Sequence, residues 1–313
     1  MPSVSSLAEA SALLSAANAE GRRVRIGADV TTEGLDRILE HEAGDLTCTV
    51  EAGVRLSTLQ AALADHGQRL ALDPPGDPTV GSCLAANLSG PLRHRFGAPR
   101  DLVLGVTLVL ADGTIANAGG KVVKNVAGYD LAKLVCGSEG TLALIARVSL
   151  RLHPIPAASA TLCVETDEPA ATVAALLCSP LQLSALDVLH PGRVCVLFEG
   201  GQASVADQLG RALALVGGAE TTAPVWDESR ARQAASRGRL RFAPGRLGAV
   251  LDQLADAIVR PASGVAYVAE QPASQPPAGV STLLARIRSE FDPRGTLVGS
   301  GLAFTQGVHE CKT

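Results

Sequence analysis

Three glycine-rich segments follow one another in the first half of the chain, and they are the residues best suited to bind a ligand. They span residues 75–82, 87–101 and 124–142. Glycine lets the backbone approach a ligand closely, and the free N–H groups at a helix start can meet phosphate oxygens. Each segment alone is also what an ordinary turn looks like, because the chain has 32 glycines. It is their clustering that indicates a phosphate-containing ligand.

Other well-known motifs are not supported by the residues. Gly120-Lys121 resembles the end of a P-loop, but Ile115 stands at the first glycine position and Val122 follows the lysine. No G-x-G-x-x-G follows a predicted strand, and the six histidines are isolated rather than at metal-ligand spacing. A Rossmann dinucleotide site, serine hydrolysis and metal catalysis are therefore not indicated.

Composition excludes further classes of protein. The seven cysteines include no C-x-x-C pair, which is typical of reduced, mostly buried thiols rather than of a disulfide scaffold or an iron–sulfur site. A net charge of −4 and 3% aromatic residues argue against nucleic-acid binding. With 47% hydrophobic residues over 313 positions, the chain can form about two aliphatic domains. No apolar run is long enough to span a membrane.

The elements of the first half must position the glycine-rich segments. Ser5 or Ser6 is expected to cap a first helix, and Ser57 to Gln60 fits a capping box. The remaining predictions are helices over 79–87 and 129–136, strands over 24–26, 46–50, 69–72, 102–110 and 141–152, and a hairpin return over 114–116. Prolines after residue 152 place the domain boundary there, giving domains 1–155 and 156–313.

The second half alternates strands and helices. Strands are predicted over 161–164, 185–189, 194–198, 240–242 and 265–268, and helices over 169–177, 205–216, 246–258 and 280–291. The stretch between 217 and 226 is expected to be less regular. This order predicts an α+β, ferredoxin-like domain with its helices on one face of an antiparallel sheet.

Several of these segments together resemble a known family. The motifs are Thr79-Val80-Gly81, Ser89-Gly90, Phe96-Gly97 with Arg100-Asp101, the string from Lys124 to Asp130, and the string from Gly137 to Leu142. They are similar to the PCMH-type flavin-binding domain of FAD-linked oxidases, the vanillyl-alcohol oxidase fold, and within it to FAD-binding accessory subunits of bacterial glycolate oxidases. The resemblance covers residues 1–155 most clearly and reaches Phe291-Asp292-Pro293-Arg294-Gly295 near the end.

The resemblance implies a fold and a set of contacts. FAD would lie, bound non-covalently, between two α/β subdomains, which a smaller α+β cap domain follows. The matching positions implied to bind FAD are Pro75, Thr79, Val80, Gly81, Ser82, Asn87, Ser89, Gly90, Gly97, Arg100, Asp101, Glu139, Gly140 and Ile145. Residues 75–82 would offer backbone N–H groups to the pyrophosphate, 87–90 would pass along the flavin, 97–101 would order the neighbouring loop, and 139–145 would lie beside the adenosine.

One segment departs from the family pattern. An early strand is usually followed by a glycine-rich loop that wraps the pyrophosphate, but here Arg25-Ile26 leads only to Gly27-Ala28-Asp29. The carboxylate of Asp29 would repel a pyrophosphate. The tail also reads Leu297-Val298-Gly299 where the family has an Asn-Pro-Gly turn.

The resemblance implies an accessory role. Oxidising a 2-hydroxy acid requires a base for the hydroxyl proton and a cation for the carboxylate. The second half holds only His190 and His309, and its arginines between 230 and 241 are expected on a solvent- or partner-facing helix. The catalytic residues stay unassigned.

The expected function is therefore an FAD-binding subunit supporting glycolate oxidation to glyoxylate, with electrons passed to a catalytic flavoprotein subunit and an iron–sulfur subunit. Two alternatives stay open: an FAD-less scaffold of the same complex, and a free-standing FAD-dependent alcohol oxidase. A cytoplasmic location is expected, with peripheral attachment at the inner face of the membrane left open.

Overall fold

The computed structural model describes residues 2–121, 130–270 and 278–299, and within them the chain packs as two compact units. Unit 1 holds residues 2–89, 97–121, 130–155 and 278–299, and unit 2 holds residues 90–96 and 156–270. The division into domains 1–155 and 156–313 stays a prediction. The packing units differ from it in two segments, because 90–96 packs in unit 2 and 278–299 in unit 1.

The helices and strands are numbered in chain order. Up to residue 155 they are α1 (Leu7–Ala19), β1 (Val24–Arg25), β2 (Ile38–Glu42), β3 (Thr47–Glu51), α2 (Leu56–Ala64), β4 (Gln68–Arg69), α3 (Val80–Ala86), α4 (Arg93–Phe96), α5 (Pro99–Leu102), β5 (Val103–Val109), β6 (Ile115–Gly119), α6 (Leu131–Val135), β7 (Leu144–Arg151) and β8 (His153–Pro154). Beyond it they are β9 (Ala158–Glu165), α7 (Pro169–Leu177), β10 (Ala185–His190), β11 (Arg193–Gly200), α8 (Gln202–Val216), β12 (Ala219–Thr221), α9 (Val225–Ala235), β13 (Gly238–Arg241), α10 (Leu247–Leu251), β14 (Ala257–Arg260), β15 (Val265–Val268), α11 (Ala278–Phe291) and β16 (Leu297–Val298).

Unit 1 has a five-stranded antiparallel sheet in the order β2-β3-β7-β5-β6. Alternation along β3 and β7 sends Cys48, Val50, Val148 and Leu150 to one face, where they join a core with α2, α3 and α6. The other face carries polar side chains, such as Thr49 and Ser149, whose hydroxyl oxygens lie 2.9 Å apart. The sheet is therefore apolar on its helix-covered face and polar on the opposite one.

A second core of unit 1 forms around α1. Ser6 caps this helix, as expected, because its Oγ accepts a hydrogen bond from the N–H of Glu9. Leu14 and Ala17 of α1 pack with Val24 of β1 and Leu297 of β16, and β1 pairs in parallel with β16. Asp292 anchors the returning chain, since its two carboxylate oxygens accept the N–H groups of Thr296 and Leu297.

The capping box predicted at Ser57 is wrong. Arg55 stands at the cap position of α2 and makes no side-chain cap hydrogen bond. The hydroxyl and the backbone N–H of Ser57 instead donate to the carboxylate of Asp77, at 2.8 Å and 2.9 Å. A carboxylate from a distant loop thus takes the role that a local glutamine was expected to have.

Unit 2 is built on a seven-stranded sheet in the order β12-β9-β11-β10-β14-β15-β13, antiparallel throughout. Its first four strands and the helices α7 and α8 follow one another as strand-helix-strand-strand-helix-strand, and their spatial order is that of a ferredoxin-like motif. The three strands β14, β15 and β13 extend this motif at one edge.

Helices cover both faces of this sheet, which corrects the prediction of one covered face. On one face α7, α8 and α10 enclose a core centred on Phe198. On the other face Val225 and Trp226 of α9 pack with Leu189, Cys195 and Ile258. The strands β10, β14 and β15 are buried on both sides, as a sheet sandwiched between helices requires.

Two further expectations for the second half are wrong. The helix predicted over 246–258 ends at Leu251, and Ala257 and Ile258 instead belong to β14. A run of small and apolar residues suits a short helix or a buried strand equally well, so periodicity could not separate them. The arginines between 230 and 241 are divided between α9, the edge strand β13 and, for Arg237, the link between them, rather than lying on one helix. Within the described residues, no helix combines the length and apolar character needed to cross a bilayer.

Candidate functional site

The turn after β1 occupies the place where the family pattern puts its pyrophosphate loop. The N–H of Gly27 donates to the carbonyl oxygen of Val30 at 2.7 Å, and the N–H of Asp29 donates to that of Arg25 at 2.7 Å. The carboxylate of Asp29 accepts the N–H of Arg25 at 2.8 Å. The turn is therefore closed by its own hydrogen bonds, and these amides are already used.

The start of α3 was expected to offer amides to the same pyrophosphate. The N–H of Val80 donates to the carbonyl oxygen of Val54, and that of Gly81 to Ala52, at 2.9 Å and 2.7 Å. Ser82 donates its N–H to the Oγ1 of Thr79, the cap residue. These contacts tie α3 to the end of β3, so in the structure these N–H groups are used within the chain, and the FAD contacts implied for them stay a prediction.

The glycine and proline of this segment serve the backbone. A Cβ atom on Gly81 would lie 2.7 Å from the Cβ of Ala52, which is closer than carbon atoms can approach. Pro75 has no N–H, so it cannot make the amide contact implied for it, and its place beside FAD stays a prediction. The hydroxyl of Ser82 stays at the exposed surface, where it donates to the carbonyl oxygen of Thr79.

The segment 87–101 is ordered by local hydrogen bonds. Asn87 ends α3 in the left-handed conformation, and its Oδ1 accepts the N–H of Arg100 at 3.4 Å. Asp101 accepts the N–H of Ala98 at 2.8 Å, and a Cβ on Gly97 would collide with its carboxylate. The structure therefore brings Asn87, at the end of α3, together with Arg100 of α5, and Gly97 together with Asp101 of the same helix, all in unit 1. Ser89 is buried in unit 1, and Gly90 is buried in unit 2.

The third glycine-rich segment is described from Asp130 onward, and the string 122–129 lies outside the described residues. Glu139 has a positive φ of 52° and donates its N–H to the carbonyl oxygen of Ala85. A Cβ on Gly140 would lie 3.1 Å from the Cβ of Ile26, so this glycine allows close packing beside the turn after β1. Ile145 is 6% exposed and belongs to the sheet core. These contacts are with the protein itself.

The described residues do not fit FAD bound by amides in the family's manner. The amides at Gly27, Asp29, Val80 and Gly81 would have to face a diphosphate, and each one donates to a carbonyl oxygen of the chain. To contact a ligand, each amide would first have to break its hydrogen bond within the chain. The contact with the ligand would only replace that bond, so the net gain in free energy would be small. No chemical step through FAD is derived for this chain.

A groove lies on the polar face of the five-stranded sheet, and it was not predicted from the sequence. Its volume is about 470 Å³, and it is lined by side chains that include Thr49, Thr107, Asn117, Arg147 and Ser149. At its rim Lys121 forms an ion pair with Glu40. The alternation of polar residues along β3 and β7 was the signal that could have indicated this face.

The described histidines do not form a catalytic group. The rings of His41 and His66 meet edge to face at 4.7 Å, and the Nε2 of His41 lies 2.9 Å from Gln68 Oε1. The Nε2 of His190 lies 2.8 Å from the carbonyl oxygen of Leu254. Burial lowers the pKa of His94. Among the described residues no group of three His, Cys, Asp or Glu is placed to hold a metal ion.

Known proteins are similar to this chain in sequence. A family model described as an FAD binding domain matches residues 15–119. The chain is 34% identical to "Glycolate oxidase subunit GlcE" of Escherichia coli over 218 residues, which is 66% of this chain and 61% of that protein. It is 32% identical to "D-lactate dehydrogenase [cytochrome] 1, mitochondrial" of Saccharomyces cerevisiae over 53% of this chain and 29% of that protein. The chain thus spans about three-fifths of the length of the first relative and under a third of the length of the second.

A solved structure shares the fold. The structure titled "alkyldihydroxyacetonephosphate synthase in P1" matches 94% of this chain and 74% of its own length, with a TM-score of 0.70 and 15% identity. At that identity the match shows the fold alone. Taken with the matched FAD binding domain and the sequence relatives, it supports the resemblance of this chain to FAD-binding, PCMH-type oxidases.

Proposed function

We propose that this chain is an accessory subunit of a complex that oxidises a small 2-hydroxy acid, with glycolate as the substrate and glyoxylate as the product. The observation that carries the proposal is the 34% identity to a glycolate oxidase subunit over 66% of the chain. The D-lactate dehydrogenase named above acts on a 2-hydroxy acid as well, which supports the substrate class. The partners are a catalytic FAD-linked oxidase subunit and an iron–sulfur subunit that receives the electrons.

The accessory role is supported by the side chains of the described residues. The reaction requires a base placed beside a carboxylate-binding cation. His41, His66 and His190 are used in structural contacts, and several arginines are already paired with acids. Arg232 is paired with Asp256 and Arg193 with Glu228. Substrate turnover is therefore assigned to the partner.

A genetic experiment tests the complex. Deleting the gene from the cells that encode this chain is expected to abolish glycolate-dependent dye reduction in extracts, and supplying the gene again is expected to restore it. A tagged copy of the full chain is expected to co-purify with a larger flavoprotein and an iron–sulfur protein. Extracts that keep full glycolate-dependent dye reduction after the deletion would contradict the proposal.

A second candidate is a subunit of the same complex that contributes to assembly and holds no FAD. The closed turn over residues 25–30 favours it, because the amides there donate within the chain. The matched FAD binding domain favours the FAD-holding form. The two forms differ in one measurable property, the binding of FAD by the purified chain.

Titration of the purified chain with FAD distinguishes the two forms, and Ser82→Glu sharpens the result. A glutamate three residues after the Thr79 cap suits a helix start, so this variant keeps α3 stable. Its charge would repel a diphosphate bound there by more than about 1.4 kcal/mol, which is tenfold in affinity. Gln202→Glu, which adds the same charge at the exposed start of α8, is the matched control.

Each outcome of the titration has one meaning. FAD binding that weakens at least about tenfold in Ser82→Glu but not in Gln202→Glu supports an FAD-holding subunit with its diphosphate at α3. No flavin absorbance in any of the three proteins after removal of free FAD supports the FAD-less subunit. Equal FAD binding by all three would show that the diphosphate does not lie at the start of α3.

A further inference from the structure

Two cysteines of unit 2 lie side by side on neighbouring strands. Cys163 of β9 and Cys195 of β11 are direct partners in the antiparallel register, and their sulfur atoms are 2.9 Å apart. Directly opposed residues of antiparallel strands have Cα atoms about 4.5–5.5 Å apart, which lies inside the range that a disulfide spans. The two sulfurs can therefore bond without a change in the strand register.

The two thiols differ in accessibility and acidity. Cys195 is fully buried, whereas Cys163 is partly exposed. The hydrogen bond from the Cys195 thiol lowers the pKa of Cys163, and the positive charge of Arg193 lowers it further. The same contact and burial raise the pKa of Cys195. Cys163 is thus the thiol that ionises and that an oxidant can reach.

The other described cysteines lack this combination. Burial raises the pKa values of Cys48, Cys83 and Cys136 to about 12, so these thiols stay protonated. Cys178 is exposed and stands at the C-terminal end of α7. It offers a matched reference for a surface thiol in the same unit.

Contacts from α9 lie on either side of the pair. Thr161, Cys163 and Glu165 alternate along β9 and therefore share a face. The indole N–H of Trp226 donates to the Thr161 hydroxyl at 3.0 Å, and Trp226 and Cys163 pack against the same apolar cluster. Trp226 is the single tryptophan of the chain, so its fluorescence reports on the surroundings of the two sulfurs.

We propose that Cys163 and Cys195 are a reversible redox pair that a hydroperoxide converts into a cross-strand disulfide, with Cys163 as the attacking thiolate and Cys195 as the resolving thiol. Disulfides that form and break in a reducing compartment are usually catalytic or redox-sensing. The pair is a modification site in unit 2, distinct from the glycine-rich segments of unit 1.

The reaction balances in two steps. The Cys163 thiolate attacks one oxygen of hydrogen peroxide, so that an S–O bond forms, the O–O bond breaks, and the leaving hydroxide takes a proton to become water. The Cys195 sulfur then attacks the Cys163 sulfur, so that the S–S bond forms, the S–O bond breaks, and the second oxygen leaves as water. Two thiols lose two electrons and two protons, and one peroxide yields two waters. A small thiol reverses the change by exchange.

The experiment uses the purified full chain treated with graded hydrogen peroxide. In the wild type we expect the loss of two of the seven thiols, a 163–195 linked peptide in non-reducing mass spectrometry, a change in Trp226 fluorescence, and recovery with dithiothreitol. In Cys195→Ala we expect Cys163 to stop at the sulfenic acid, which dimedone labels. Cys178→Ser is expected to form the 163–195 link as the wild type does.

Other outcomes would overturn the proposal. It fails if Cys163→Ser still loses two thiols at the same rate as the wild type, or if the linked peptide joins other cysteines. It also fails if peroxide oxidises Cys178 in the wild type while 163 and 195 stay reduced. Circular dichroism of each variant shows whether it is folded, and Cys163→Ser, at a partly exposed position, gives the decisive comparison if the variant at the buried Cys195 does not fold.

Discussion

At the scale of single residues, the same residue type serves a ligand or the protein depending on what lies opposite it. Gly81 and Gly140 carry the family motif, yet the space that a Cβ would need is taken by Ala52 and Ile26. Asp77 accepts two hydrogen bonds from Ser57, which hold the pKa of its carboxyl below the ordinary value. The residue types can be read from the sequence, but only the residues around them in the fold show whether they contact a ligand or the protein itself.

Glu51 is a buried carboxylate whose charge is stabilised by arginines. It is 1% exposed and accepts hydrogen bonds from the guanidinium of Arg37 at 2.9 Å and 3.1 Å, with Arg147 4.0 Å away. The hydrogen bond from Arg37 is the main cause that lowers the pKa of Glu51. Because the folded-state pKa is depressed, the stabilisation is complete above the unfolded value and is lost as the pH falls through the folded one.

Glu51→Gln is therefore expected to lower the free energy of unfolding at pH 7 by about 1–3 kcal/mol. The difference from the wild type is expected to shrink as the pH falls below 4.5, the ordinary value for this group. Urea unfolding of both proteins across this pH range measures this difference in the free energy of unfolding. Glu20→Gln, in an exposed ion pair with Arg22, is the control and is expected to change little. A difference that stays constant down to low pH would contradict the assignment.

At the scale of elements, local sequence patterns predicted most helices and strands. They failed where contacts between residues far apart in the chain determine whether a helix or strand forms. The cap at Ser6 and the strand pair β10–β11 are confirmed, because a cap involves residues three apart and a hairpin joins neighbouring segments. A helix was expected around residue 230, but the bounds and the buried position of α9 were not predicted, because its buried face carries few apolar residues: Ser229 and Gln233 are buried there. The Ser229 hydroxyl donates to the buried carboxylate of Asp187, a contact that spans 42 residues.

The close contact of α3 with the end of β3 gives a prediction for an element. Gly81→Ala places a Cβ 2.7 Å from that of Ala52, so we expect the free energy of unfolding to fall by about 1–3 kcal/mol. Gly210→Ala is the matched control: nothing lies within 4 Å of its Cβ in the middle of α8, and we expect a gain of about 0.5–1 kcal/mol. Denaturant unfolding of both variants measures the effects. Equal stability of the two variants would contradict this packing.

At the scale of the whole molecule, unit 1 holds the residues that match the FAD binding domain, apart from 90–96, and unit 2 holds the ferredoxin-like motif extended to seven strands. The chain covers 61% of one glycolate oxidase subunit. Under the proposed function, the hydroxy-acid chemistry belongs to a partner subunit. The alternative of a free-standing alcohol oxidase makes the opposite prediction.

The purified chain alone is therefore expected to leave FAD oxidised under anaerobic conditions with glycolate, lactate or a panel of polyols. Adding the partner proteins isolated from the deletion strain is expected to restore glycolate-dependent reduction, because the proposed function places the base and the carboxylate-binding cation in the partner. Flavin absorbance over time measures both reactions. Bleaching by the isolated chain would establish a free-standing oxidase.

The sequence by itself determined the resemblance to FAD-binding oxidases, the mixed α+β class and the elements whose signals lie within a few residues, such as α1 with its Ser6 cap. The tertiary structure alone decided that the amides of Gly81 and Gly27 are used by the protein, that α9 covers a second face of the unit 2 sheet, and that Cys163 meets Cys195. The reason is physical. Caps and periodicity act between near neighbours, whereas hydrogen-bond use and strand register depend on residues that only folding brings together.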